Sequence, residues 1–446
     1  MRILKIKAHT YLLCLINRNR DINFLSHVST GSQHRTDNEL HSSELEASAS
    51  PSLNNQVTIT SLGTIQESCL LKYFIEEISP WFDHCDDLHH FQLVVPRRAR
   101  HCSTLLNAIC AVAALHLSRL SKYKTSQGVL YCGQFLPNLT QSSALEYMLK
   151  CIPDLIRFPE IQDPIHQENI MAATVILRQY EEMEEELDGA NTEEGFYANG
   201  RLNFLAITHT IIDSMIASPL DQPLATAAYW ITVRQEIYYA LTREATPYLR
   251  FDADLWQNPS VASNMILFTG QVAKWRWGQQ LPDEWGKSAR LKIVEQELIQ
   301  NSIGELEPIL DLPADRRKGE VFPTIWYSLD VQVTAIQHFR LAQMILTAEN
   351  PHLEGAARPV HRKTEAQVRS IVLCICGIGL QHSRVQPALL NAVIAITLYG
   401  EYFTDPMERE ALVDIIKRAR DFDAWPMSKP YQTLQHRWDI MDSAEV

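Results

Sequence analysis

The sequence is poor in every feature that marks a secreted scaffold, a membrane protein or a direct nucleic-acid binder. Its 446 residues include nine cysteines: Cys14, Cys69, Cys85, Cys102, Cys110, Cys132, Cys151, Cys374 and Cys376. An odd, scattered set is not a disulfide framework and fits a reducing compartment. Positive charge is in deficit, with 40 Lys and Arg against 53 Asp and Glu, a formal net charge of −13. Phosphate contacts need a basic face, so the chain as a whole is not built to bind nucleic acid. Long hydrophobic runs are absent too. The longest, IVLCICGIGL (371–380) and ALLNAVIAITLY (388–399), fall short of the ~20 residues that span a bilayer and read as buried helices. The start, MRILKIKAHTYLLCLIN, has a short apolar core and no small-residue cleavage pattern after it, so it does not read as a signal peptide.

What is present is an ordinary globular composition, 46% hydrophobic and 21% charged, enough to bury a large core. Residues 25–56 are the exception. They are rich in Ser, His, Asn, Thr and Glu and hold too few large apolar side chains to offset their ordering entropy. Residues 1–64 are therefore expected to be a largely disordered tail, and 65–446 the folded part.

That folded part reads as helix after helix. Over 102–120, Leu105, Leu106, Ile109, Ala113, His116, Leu117 and Leu120 fall at helical spacing. Asp163-Pro164 and Asp221-Gln222-Pro223 open two more helices, with proline in the first turn. Asp405-Pro406-Met407-Glu408 reads as a capping box, Asp405 accepting from the third amide and Glu408 reaching back. The stretches 324–346 and 363–380 carry the same period. Strand signals are weak: 92–95 is short and Pro96 stops it, and no Asn-Gly or Asp-Gly joins two alternating runs. The expected fold is all-α, a single large domain of about a dozen helices.

Few residue groups have the spacing of a reactive site. His84-Cys85-Asp86-Asp87-Leu88-His89-His90 is the densest set of metal-binding residue types, but zinc wants spaced pairs, and bunching reads as a polar helix-to-loop junction. Cys374 and Cys376, two apart in an apolar helix, point to different sides and read as buried small side chains. Gly377-Ile378-Gly379 lacks the third glycine and the preceding strand of a dinucleotide loop. His116, His209, His338 and His382 stand singly. The acidic stretch 181–194 holds eight carboxylates and reads as a solvated helix end running into a loop, with an acidic activation segment as the functional alternative. Arg97-Arg98-Ala99-Arg100 and Arg316-Arg317-Lys318 are short basic clusters of the nuclear-import type. Aromatic residues gather at Trp230, Tyr238 and Tyr239 and at Trp275, Trp277 and Trp285. Core packing is the ordinary use of such rings, and a pocket between helices is the functional one.

Several strings together resemble one family. LLKYFIEEISPWFD (70–83), HFQLVVPRRARHCSTLLNAICAVAALHLSRL (90–120), ILRQYEEMEEELDG (176–189), AAYWITVRQEIYYAL (227–241), FPTIWYSLD (322–330), ICGIGL (375–380), DPMERE (405–410) and AWPMSKPYQTLQHRWD (424–439) are similar to the fungal-specific transcription factor domain, the large regulatory region of fungal zinc binuclear-cluster regulators. The resemblance implies an all-α regulatory domain over 65–446, a nuclear setting and control of metabolic or secondary-metabolite genes, not catalysis. Family members carry an N-terminal six-cysteine cluster that holds two zincs and reads DNA. In this sequence only Cys14 precedes the domain, and through residue 50 six basic residues (Arg2, Lys5, Lys7, Arg18, Arg20, Arg35) face five acids (Asp21, Asp37, Glu39, Glu44, Glu46). The expectation is therefore no cofactor here, zinc entering only with such a cluster. No direct DNA reading by this chain alone is expected either. Its action would run through the transcription machinery, a DNA-binding partner or a homo- or heterodimer, with no membrane involved. A small-molecule inducer is a further expected partner. If it has a pocket, Trp230, Arg234, Tyr238, Trp275 and Trp277 are the candidates, since Arg234 lies one turn from both Trp230 and Tyr238. The alternatives are a helical biosynthetic enzyme, for which Asp86-Asp87 is the sole adjacent aspartate pair, and an interaction scaffold that binds no ligand.

Overall fold

A computed structural model describes residues 64–184, 197–198, 201–215, 222–249, 251, 260–278, 284–302 and 304–444. The expected tail over 1–63 and most of the acidic stretch lie outside the described residues. From Thr64 onward the chain is one compact unit and all-α, with only short strand pieces.

The chain enters through one long helical run in three parts. Helix α1 (Ile65–Tyr73) is capped by the Thr64 hydroxyl, which accepts from the Glu67 N–H at 3.1 Å. It continues through a π turn over Phe74–Ile78 into α2 (Ser79–Asp83). A π turn carries one residue more than an α turn. Around it Tyr73, Phe74, Ile78, Trp81 and Phe82 are all buried. Two short helices follow, α3 (His90–Leu93) and α4 (Val95–Ala99), where the sequence hints at a strand. Pro96 does not end a strand here. It sits in the first turn of α4, where its missing N–H leaves no bond unmade.

Helix α5 (Ser103–Arg119) is the centre of the N-terminal half, buried along most of its length. Against it pack α6 (Gln141–Ile156) and α7 (Pro164–Glu184). Helix α7 starts where Asp163 accepts from the His166 N–H at 3.0 Å. Next come α8 (Phe204–Met215), α9 (Pro223–Arg243), α10 (Val261–Trp277) and α11 (Glu284–Asn301). The C-terminal half is built on α12 (Asp330–Ala348), α13 (Arg358–Gln381) and α14 (Gln386–Tyr399), closed by α15 (Pro406–Arg420) and α16 (Ser428–Ala444).

Four local expectations need correction. Tyr197–Ala198 and Arg201–Leu202, on either side of Asn199-Gly200, pair antiparallel, so an Asn-Gly does join two short strands. A small antiparallel sheet occupies Lys124–Thr125, Gly128–Tyr131 and Gln134–Leu136. Its second turn is Cys132-Gly133, both at positive φ. Cysteine stands where asparagine or aspartate would announce such a hairpin, so the signal was muted. The helical period read from residue 324 begins only at Asp330. Thr324–Trp326 instead pairs with Leu310–Leu312, with Ile325 buried and Trp326 exposed, the alternation of a strand. Finally, Asp405 caps α15 by accepting from Met407, not Glu408, and Glu408 pairs with Arg316 instead of closing the box.

The two glycines of Gly377-Ile378-Gly379 serve packing. A Cβ on Gly377 would stand 2.4 Å from the Pro323 carbonyl oxygen, and one on Gly379 would stand 2.8 Å from that of Ala388. They let α13 lie close against the 323 turn and α14. Ile325, Val333, Ile378, Val385 and Ala388 form the buried cluster at that junction.

Candidate functional site

The helices of the two halves meet around an interior cavity of about 60 Å³. Its walls come from α2, α7, α9, α12, α14 and the loop before α16. Helix α9 presents Ile231, Arg234, Gln235, Tyr238 and Leu241, residues that share one helical stripe. Of the five residues singled out in the sequence, Arg234 and Tyr238 stand on that stripe. Trp230 is one position off it and packs edge-on to Tyr229. Trp275 and Trp277 belong to the last turn of α10 and do not line the cavity.

Charge at the cavity is held in pairs. The Arg234 guanidinium donates to the Phe82 carbonyl at 2.7 Å, tying α9 to the end of α2. Glu182 is buried, lies 3.4 Å from the Arg178 Nε and accepts from the Trp425 indole N–H at 3.2 Å. Arg178, 1% exposed, also donates to Glu181 at 2.8 Å. The start of the acidic stretch is therefore a buried ion network, where solvated carboxylates were expected. The cause is Arg178, whose charge needs partners inside a low-dielectric interior.

Two histidines face the cavity, and both are kept neutral. Burial, with the nearby Arg234 charge, holds His84 well below the usual histidine range, while the Trp81 and Pro80 carbonyls pull the other way. Burial pushes His338 down to about 4 against the Thr334 carbonyl, which accepts from Nδ1 at 2.9 Å. Just outside, burial raises Asp83 to about 6, although it accepts from the Phe91 and Gln92 N–H groups at 2.9 and 2.7 Å. Two buried amide atoms on the cavity wall, Gln179 Nε2 and Gln235 Oε1, have no hydrogen-bond partner among the described residues. One donates and one accepts, so a small hydrogen-bonding guest would satisfy both. The volume admits a few water-sized molecules and falls well below the ~300 Å³ at which ordinary ligand pockets begin.

The other sequence candidates take structural places. Asp86 accepts from His90 at 2.7 Å, and no group of metal-ligating residues converges among the described residues. His116 bridges the Tyr73 hydroxyl at 2.8 Å and the Phe422 carbonyl at 2.7 Å. His209 pairs with Glu236 and stacks on Tyr248. His382 accepts from the Tyr327 N–H at 3.1 Å. Cys376 is buried. In the basic clusters, Arg98 donates to the fully buried Glu168 at 2.7 Å, and Arg316 is the partner of Glu408. The residues that sequence reasoning missed are Trp81, Gln179, Glu182, His338, Asn391 and Trp425. Asn391, a polar residue set in the apolar run ALLNAVIAITLY, carried such a signal, whereas Trp425 lies in a loop and Glu182 in an acidic run, where no spacing marks them.

Residues 69–189 match the family model described as the fungal specific transcription factor domain. The matched stretch runs from α1 to just past the end of α7 and includes the Val-Val-Pro-Arg-Arg block, Trp81, Gln179 and Glu182. No curated protein and no solved structure matches the chain. No helix among the described residues is long and apolar enough to cross a membrane.

Proposed function

We propose that this chain, with its fungal-specific transcription factor domain over 69–189, is the regulatory part of a transcriptional regulator. The observation that carries the reading is that match, set within a helical body that continues as one unit beyond it. The family is non-enzymatic in general, so control of transcription and not catalysis is the reading. It works in the nucleus, on metabolic or secondary-metabolite genes, and reaches promoters through a DNA-binding partner, since a net charge of −13 opposes phosphate contact. The cavity beside Arg234 and Tyr238, at about 60 Å³, has room only for a guest of a few atoms, so a larger inducer would bind elsewhere.

Tethering tests the reading. The full chain fused to a heterologous DNA-binding domain should change a reporter several-fold in a fungal host, in either direction. A reporter that stays at the level of the DNA-binding domain alone would sink it. Purified chain should give no salt-resistant band shift, and a specific, salt-tolerant complex with DNA would remove the partner from the scheme.

A further inference from the structure

A second concavity, of about 430 Å³, lies between α11, α12 and α13. It is open and far from apolar. Its floor is one face of α12, where Arg340, Gln343 and Thr347 recur at helical spacing. A helix face lying beneath two other helices is expected to be apolar. Beside that face, Leu341, Ala342, Met344, Ile345 and Leu346 are all buried, and the buried Gln337 and His338 nearer the helix start are bonded to backbone carbonyls. The polar floor is therefore not explained by packing.

The floor and one wall form a chain of charge-assisted bonds. Arg340 donates to the Gln343 amide oxygen at 2.8 Å. The Gln343 amide donates to Glu295 at 2.9 Å, and Lys292 to the other oxygen of Glu295 at 2.8 Å. Both Glu295 oxygens are thus occupied, and the chain of two cations and one carboxylate keeps a net charge of +1. Arg340 Nε is buried without a hydrogen bond. On the opposite wall, α13 turns Thr364, Gln367 and Ser370 toward the cleft, and their side chains bond to nothing among the described residues. Past Asn350 and Thr364 the cleft opens into a neighbouring concavity edged by Glu349, Glu354 and Glu365. An anionic group is repelled from that end and drawn to Lys292 and Arg340.

We propose that this cleft binds a polyhydroxylated anion. Its carboxylate or phosphate would lie on Lys292 and Arg340, and its hydroxyl-bearing chain along Thr364, Gln367 and Ser370. The volume falls within the ~300–1,000 Å³ of ordinary ligand sites. Arginine and lysine are the side chains suited to such oxyanions. The site goes beyond the regulatory reading and stands or falls without it.

Isothermal titration of the full chain at physiological salt tests the proposal with four probes: gluconate, glucose 6-phosphate, inorganic phosphate and sorbitol. One of the two charged polyols should bind with 1:1 stoichiometry, at least ten-fold tighter than sorbitol and than inorganic phosphate. Which of them binds tells carboxylate from phosphate. Lys292→Gln should weaken that binding about ten-fold, and Ser370→Ala about three-fold, each with an unchanged melting temperature in the absence of ligand. Saturable binding by neither charged polyol overturns the site. So does equal binding of sorbitol, or Lys292→Gln with undiminished affinity. Inorganic phosphate binding as tightly as glucose 6-phosphate overturns the polyol half, leaving an adventitious ion only.

Discussion

The interior cavity and the three-helix cleft both carry polar side chains, set in a mainly apolar wall at the cavity, and α12 lends a wall to each. His338 faces the cavity, and Arg340, Gln343 and Thr347 face the cleft. The difference lies in what the polar groups answer to. At the cavity, Glu182 accepts from the Trp425 indole and Arg234 donates to the Phe82 carbonyl, bonds between segments distant in sequence that tie the fold together, while Arg178 pairs with Glu182 within α7. In the cleft, the bonded chain runs between α11 and α12, while Thr364, Gln367 and Ser370 of α13 have no side-chain hydrogen bond among the described residues. Polarity inside the cavity is therefore part of stability, and polarity in the cleft is surplus to it.

That contrast can be broken by measurement. The largest effect is expected at Glu182→Ala, which strips a partner from the buried Arg178 and the acceptor from Trp425. Urea denaturation should show a loss of about 3–5 kcal/mol, and a loss under 1 kcal/mol would put the network among dispensable polar contacts. Next is acid. His338 is held down at about 4 in the fold, against ~6.5 when unfolded. Its contribution is full above about pH 6.5 and is lost as pH falls toward 4, a change of roughly 3 kcal/mol. The lowered pKa values of His84 and His116 act in the same direction. Asp83, raised to about 6, acts in the opposite sense, its contribution being lost as pH rises through 6. Stability profiles of wild type and His338→Gln between pH 4 and 7 should diverge, the variant having the shallower slope. Parallel profiles would show that His338 does not titrate with unfolding.

Smaller again is Gly377→Ala, which drives a Cβ against the Pro323 carbonyl and should lower stability by about 1–3 kcal/mol. A variant as stable as wild type would mean that the 323 turn yields freely. Smallest of all is the cleft. Lys292→Ala, whose side chain is 38% exposed, should move the unfolding midpoint by less than ~0.5 kcal/mol. A shift comparable to that of Glu182→Ala would erase the distinction between the two regions.

Much of the architecture was legible in the sequence because its signals are local. The proline-opened starts of α7 and α9, the apolar period of α5 and the absence of spanning runs need only neighbouring residues. The hairpin at Cys132-Gly133 escaped because its turn carries an uncommon first residue. The strand at Thr324–Trp326 escaped because its partner lies twelve residues or more upstream. The cavity was half legible for the same reason. The stripe on α9 pointed to Arg234 and Tyr238, but Trp81, Glu182, His338 and Trp425 converge through tertiary contacts that no spacing encodes. Trp275 and Trp277 were drawn in by residue type alone.

The π turn at Phe74–Ile78 puts the entry helix out of phase with itself. Before it, Leu70, Leu71 and Tyr73 are buried, and after it Trp81 and Phe82 are turned inward by the one added residue. Each residue of an α-helix advances about 100° around the axis. Removing a single position from 74–78 would rotate Trp81 and Phe82 by about that angle, away from the cavity they wall, and carry Arg234's acceptor with them. Among relatives of this chain, a one-residue gap in that turn would be a more telling difference than any substitution within it.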